Sequence, residues 1–94
     1  MDLLQEYKNI VYKIKEYIKT ELEKRYEDIK FGYDYETSLL CFNIGCWRFE
    51  IDITNNYFRI EYINEIVRDN WDSDYLETFE EIFKYIDDVI SEGY

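Results

Sequence analysis

The apolar residues of this chain change period twice, and that double switch constrains its fold more than any other feature of the sequence. From residue 2 to about 28, Leu3, Leu4, Tyr7, Val11, Ile14, Ile18, Leu22 and Tyr26 recur at steps of three and four, which is the stripe of an amphipathic helix. The other faces of this segment mix Glu16, Glu21, Glu23 and Glu27 with Lys13, Lys15, Lys19, Lys24 and Arg25, as a solvated surface does. From Ile29 the period falls to two. Phe31, Tyr33 and Tyr35 alternate with Lys30, Gly32 and Asp34, and Leu40, Phe42 and Ile44 follow a turn at Glu36-Thr37-Ser38. After Gly45, Trp47, Phe49, Ile51 and Ile53 oppose Arg48, Glu50 and Asp52; beyond Thr54-Asn55-Asn56, Phe58, Ile60 and Tyr62 oppose Tyr57, Arg59 and Glu61. Alternation of this kind marks half-buried strands, and such short turns between them predict an antiparallel meander of three to four strands.

Helical spacing returns in Tyr75, Leu76, Phe79, Ile82, Phe83, Ile86, Val89 and Ile90, with Asp72, Ser73 or Asp74 as the expected N-cap and Gly93 just past the end. Residues 64–71 read as a loop or a short helical turn. The order helix, strands, helix predicts a two-layer α+β domain whose N-terminal and C-terminal helices cover the apolar face of the sheet. With 94 residues the chain makes a single domain, 1–94, and 47% hydrophobic and 20% aromatic residues are enough to build its core and to disfavour disorder. There is no internal repeat, low-complexity segment or linker.

Charge is the second constraint. The chain has 22 acidic and 11 basic residues, no His, and a formal net charge of -11. Residues 1–30 hold seven acids and seven bases, so the whole excess falls in residues 31–94, with 15 acids against Arg48, Arg59, Arg68 and Lys84. This composition opposes direct binding to nucleic acid or to anionic membranes, both of which need Lys and Arg. No apolar run approaches the length of a membrane span, and the N-terminus lacks the basic start and apolar stretch of a signal peptide, so a cytoplasmic protein is expected.

Catalysis finds little to work with. Without His, the commonest general base and every Ser-His or Cys-His arrangement are missing, and surface carboxylates lack the burial that would tune them, so the chain reads as a non-enzyme. Cys41 and Cys46, spaced C-x4-C, supply two of the four ligands a structural zinc needs and read as small semi-buried thiols in a sheet. Asn70, Asp72, Asp74, Thr78 and Glu81 fit positions of a calcium loop, but Tyr75 stands where that loop requires Gly. Helix capping is the expected role of those acids, and neither metal nor cofactor is expected.

The acids themselves are the candidate site. Glu50 and Asp52 project from one face of a strand roughly 6 to 7 Å apart, with Glu61 on the next strand. Around the last helix lie Asp69, Asp72, Asp74, Glu77, Glu80, Glu81, Asp87 and Asp88. Asp72, Asp74 and Glu77 gain from the positive end of the helix dipole, whereas Asp87, Asp88 and Glu92 sit at its negative end and repel. Self-repulsion that folding does not require points to a basic partner, although acidic surfaces also serve plain solubility. Trp71, in the acidic connection, is either a cap on the core edge or an aromatic presented to an Arg-rich partner.

In size, charge and these acid sets the chain resembles the small acidic phage proteins that block CRISPR effectors or restriction enzymes. The resemblance implies an inhibitor that binds the basic nucleic-acid-binding surface of a defence nuclease by mimicking nucleic-acid charge, acting in the host cytoplasm if phage-encoded. Two other readings stay open: an immunity protein that neutralises a basic toxin, and a non-catalytic adaptor or self-associating domain. A monomer or weak homodimer is expected, with the neutral first helix rather than the acidic surface available for self-contact.

Overall fold

The structure, a computed structural model, describes residues 2–33, 37–67 and 71–92. Its elements are helix α1 (Leu3–Arg25), strands β1 (Ile29–Phe31), β2 (Leu39–Ile44), β3 (Trp47–Ile53), β4 (Phe58–Asn64) and β5 (Asp72–Leu76), and helix α2 (Phe79–Glu92). The strands form one antiparallel sheet in the order β1-β2-β3-β4-β5, a plain meander. The α+β class and the helix-sheet-helix order are those the periodicity predicts, with five strands rather than three to four.

Asp2 starts α1 by accepting a hydrogen bond from the Leu4 N–H at 3.0 Å, while Lys24 and Arg25 in the last turn face the negative end of the dipole. The helix stops at Arg25, short of residue 28, because Tyr26 turns extended at φ -132° with its N–H still bonded to the Leu22 carbonyl. Alternation expected through Tyr33 and Tyr35 ends earlier too. Only Ile29 and Phe31 face the core; one more bond, Gly32 N–H to the Cys41 carbonyl at 2.9 Å, extends the pairing, and Tyr33 is 79% exposed. Asp34, Tyr35 and Glu36 lie outside the described residues.

A two-residue turn joins β2 to β3, with Ile44 opposite Trp47 and Gly45 at φ 59°, a left-handed conformation open to glycine. Phe42, Phe49 and Tyr62 fall in one row across β2, β3 and β4. On this face Leu40, Phe42, Ile44, Phe49, Ile51, Ile53 and Ile60 are buried, beneath Val11, Ile18 and Leu22 of α1 and Ile82, Phe83 and Ile86 of α2. The helices run side by side over it: Tyr17 meets Phe79 at 4.7 Å between ring centroids, and the Arg25 guanidinium lies 4.3 Å from the Phe83 centroid. Of the two thiols, Cys41 is buried in β2 and Cys46 half-buried in the turn, both unoxidised.

The largest departure from the periodicity is at residues 72–76. Asp72, Ser73 and Asp74 do not cap the last helix; they form β5, pairing with Tyr62, Glu61 and Ile60. The cap is Thr78. Its carbonyl accepts the first helical bond from the Ile82 N–H at 3.2 Å, its Oγ accepts from the Glu81 N–H at 3.1 Å, and the Glu81 carboxylate accepts in return from the Thr78 hydroxyl at 3.1 Å and the Glu77 N–H at 3.4 Å. The spacing is that of a capping box, with the returning carboxylate reaching the N–H one residue before the cap. Glu77 therefore precedes the helix, and the dipole acts on Glu80 and Glu81 instead. Gly93, the expected C-terminal cap, lies outside the described residues, as does Asn70 of the calcium template; with Asp72 and Asp74 extended in β5, those acids do not wrap a loop.

Candidate partner-binding face

The acids expected to act together lie on different sides of the molecule. Glu50, Asp52 and Glu61 point from the sheet face away from the helices, where the register also places two arginines. Asp52 lies opposite Arg59, Arg48 Nε is 3.5 Å from Glu50 Oε2, and Arg59 pairs with Glu61. Glu50 and Glu61 are direct cross-strand neighbours, an unfavourable pair on its own, but each carboxylate has an arginine two residues away on its own strand. This face sets two arginines among its three carboxylates rather than presenting a row of bare acids.

The α2 acids divide again. At about 100° per residue, Glu80 and Asp87 fall on the edge toward α1, while Glu81, Tyr85, Asp88 and Glu92, at i, i+4, i+7 and i+11, fall on the edge toward β4 and β5. On the first edge Asp87 is tied into the fold, accepting a hydrogen bond from the Tyr26 hydroxyl. Burial, and then that bond to a carboxylate, push the Tyr26 phenol far above its usual range.

The second edge makes a site. Tyr85 meets Tyr62 of β4 edge-on at 5.8 Å, and Tyr62 meets Trp47 of β3 edge-on at 5.8 Å. These three rings, with Val89 beneath and Asp88 and Glu92 at the rim, line a cleft of about 370 Å³. Asp72 and Asp74 approach the same rings from β5, because their register with Tyr62 and Ile60 turns them to the helix side of the edge strand. Burial first, then the neighbouring Asp72 carboxylate and Glu92, raise the Tyr62 phenol above its usual range. Tyr85 is pushed up to about 12 by burial first, then by Tyr62, Asp74 and Asp72.

Both tyrosines thus sit in a field that disfavours further negative charge. The helix adds to it, since the last turn of α2 carries no basic residue against its dipole. Lys84 is the one base of α2; it lies 3.0 Å from Asp88, and that hydrogen bond raises its pKa. Glu80 and Glu92 accept no hydrogen bond among the described residues.

Chemically, the cleft suits a cation. Ring faces attract positive charge through their quadrupole, and a guanidinium can lie against a ring while pairing with a carboxylate. No family model, curated protein or solved structure matches the chain. Among the described residues, no helix is long and apolar enough to cross a membrane.

Of the residues expected from the sequence, the structure brings Asp72, Asp74 and Asp88 together here, with Glu81 two turns along the same edge. Glu50, Asp52 and Glu61 are on the far face of the sheet, Asp87 and Glu80 on the other edge of α2, and Glu77 in the connection before it. Trp71 is 42% exposed beside β5 and is not part of the core. Asp69 lies outside the described residues. Sequence reasoning missed Trp47, Tyr62 and Tyr85, and noted Glu92 only for its repulsion at the helix end. The one signal within a single element was Tyr85 followed by acids at i+3 and i+7; Trp47 and Tyr62 join it only through the β3–β4 register.

Proposed function

We propose that this chain is a non-catalytic inhibitor that occupies the basic nucleic-acid-binding surface of a protein target, such as a CRISPR effector or another phage-defence nuclease, with carboxylates in the place of phosphates. The observation that carries this reading is the cleft: Trp47, Tyr62 and Tyr85 surrounded by Asp72, Asp74, Asp88 and Glu92, with Lys84 paired to Asp88 and no basic residue in the last turn of the helix. An arginine of the target enters between the rings and fixes the orientation. The flanking acids along β5 and α2 steer encounter, which makes association fast and salt-sensitive. The site of action is the cytoplasm, that of the host if the chain is phage-encoded.

The test is capture from host lysate at about 0.1 and 0.5 M salt, conditions between which the Debye length falls from about 10 Å to less than half that. The bait is the chain and its isosteric variant Asp72→Asn, Asp74→Asn, Asp88→Asn, Glu92→Gln. Support consists of nucleic-acid-binding proteins that are held at low salt, released by duplex DNA, and lost with the variant. If the variant captures the same proteins, the cleft is not the contact and the proposal fails.

A further inference from the structure

The first turns of α1 carry an apolar seam that is exposed at Leu3, Tyr7 and Ile10 and runs into the core at Ile14. Leu3, Tyr7, Ile10 and Ile14 follow at steps of four, three and four, the a/d spacing of a coiled-coil seam. Leu3 is 77% and Ile10 58% exposed, and no described residue before Val11 is buried. The helix is long for its sheet: 23 residues rise about 34 Å at about 1.5 Å each. The longest strands have seven residues and reach about 24 Å at about 3.4 Å each. The molecule accordingly measures 48 Å along its long axis and 26 and 24 Å across.

We infer that this seam joins two copies of the chain through an antiparallel pair of α1 helices about a two-fold axis. Charge decides between a second copy side by side and one end to end. Residues 2–17 hold Asp2, Glu6 and Glu16 against Lys8, Lys13 and Lys15, so the seam lies on a neutral segment, while the acid excess belongs to the body beyond residue 30. Parallel pairing would set two acidic bodies beside each other; antiparallel pairing puts them at opposite ends. The flanks agree. When Tyr7 meets Ile10 of the second copy and Leu3 meets its Ile14, Glu6 falls beside Lys13 of the second copy, and symmetry repeats that pair. The seam also ends at a cavity of about 220 Å³, where Ile14 meets Ile53, Tyr57 and Phe58 at the β3–β4 turn, and this register brings Leu3 of the second copy to its mouth. The dimer leaves both acidic clefts open, since they lie beside the C-terminal end of α2, away from the seam.

An overlap of about twelve residues is only about 18 Å long, so the dimer assembles within an accessible concentration range. Sedimentation equilibrium of the full chain from micromolar to millimolar concentration should show the mass rising from one chain to two. Ile10→Glu should hold it at one. Glu6→Lys and Lys13→Glu should each weaken association about three- to tenfold, and the two together should restore it, with circular dichroism showing every variant folded. A single-chain mass throughout the wild-type series overturns the inference, as does a dimer that the double variant fails to restore. A monomer that instead floats with neutral lipid vesicles would assign the seam to a membrane surface, which equally overturns it.

Discussion

Tyr85 holds its phenolic proton up to about pH 12, against about 10 for an unperturbed tyrosine, because ionisation would place an anion in a half-buried cleft already faced by carboxylates. The folded state therefore keeps a proton that the unfolded chain releases between pH 10 and 12. Stability from this group is fully present below pH 10 and falls as pH rises through that window. Tyr85→Phe should flatten this alkaline decline and remove one late-ionising phenol from an ultraviolet titration. A titration in which the variant loses an ordinary phenol would place Tyr85 in solvent and remove the cleft. Tyr85→Ala removes a wall as well as the hydroxyl, and for an arginine held there the loss should approach about 2 kcal/mol, the upper range for a desolvated cation on a ring, read as weaker retention in the capture experiment. Trp47→Ala should act alike from the other wall.

Among the elements, α2 is where local chemistry and apolar period give different starting points, and Thr78 separates them. Thr78→Ala removes a cap worth about 1 kcal/mol, which lowers the melting midpoint by about 4–8 °C in a domain of this size. Ser73→Ala and Asp74→Ala, in the exposed strand β5, should stay within about 0.5 kcal/mol of the parent; equal losses at all three positions would restore the earlier cap. The signal for the true start is present in the sequence as Thr78-Phe79-Glu80-Glu81, a capping box spaced like any other. It is masked because Tyr75 and Leu76 lie four and three residues before Phe79 and so continue the helical stripe by coincidence. Elsewhere the period is decisive: β3 alternates through seven residues and is half-buried as read, because a one-residue slip would expose Phe49, Ile51 and Ile53 together. The candidate site is less legible, for a reason of distance. Asp88 and Tyr85 share a helix edge and can be paired by counting, whereas Trp47 and Tyr62 reach them only once β3 and β4 are in register and α2 lies across their ends. Arg48 and Arg59 stand two residues from Glu50 and Glu61 on their own strands, so those ion pairs are legible from the alternation, and only Asp52 opposite Arg59 depends on the register.

Over the whole molecule the net charge, and its placement at the end of α2, work against stability. The excess of negative charge occupies the body, and Asp88 and Glu92 close α2 at the end where cations are favoured. Glu92 also acts electrostatically on Tyr62. Glu92→Lys reverses this at an exposed position, gaining about 0.3–1 kcal/mol from the dipole and relieving repulsion with Asp88, so the melting midpoint should rise by several degrees. Added salt should raise the midpoint of the parent and do less for the variant, because screening removes what the substitution has already removed. If Glu92 were there only to keep the protein soluble, the more stable variant would retain its partners. If it forms the rim of a cation-binding cleft, the same lysine faces the incoming arginine, and capture should weaken while stability rises. Opposite signs in these two measurements on one variant distinguish a charge kept for binding from a charge that only solvates the surface; a variant more stable and undiminished in capture would leave the acidity of α2 without a binding role.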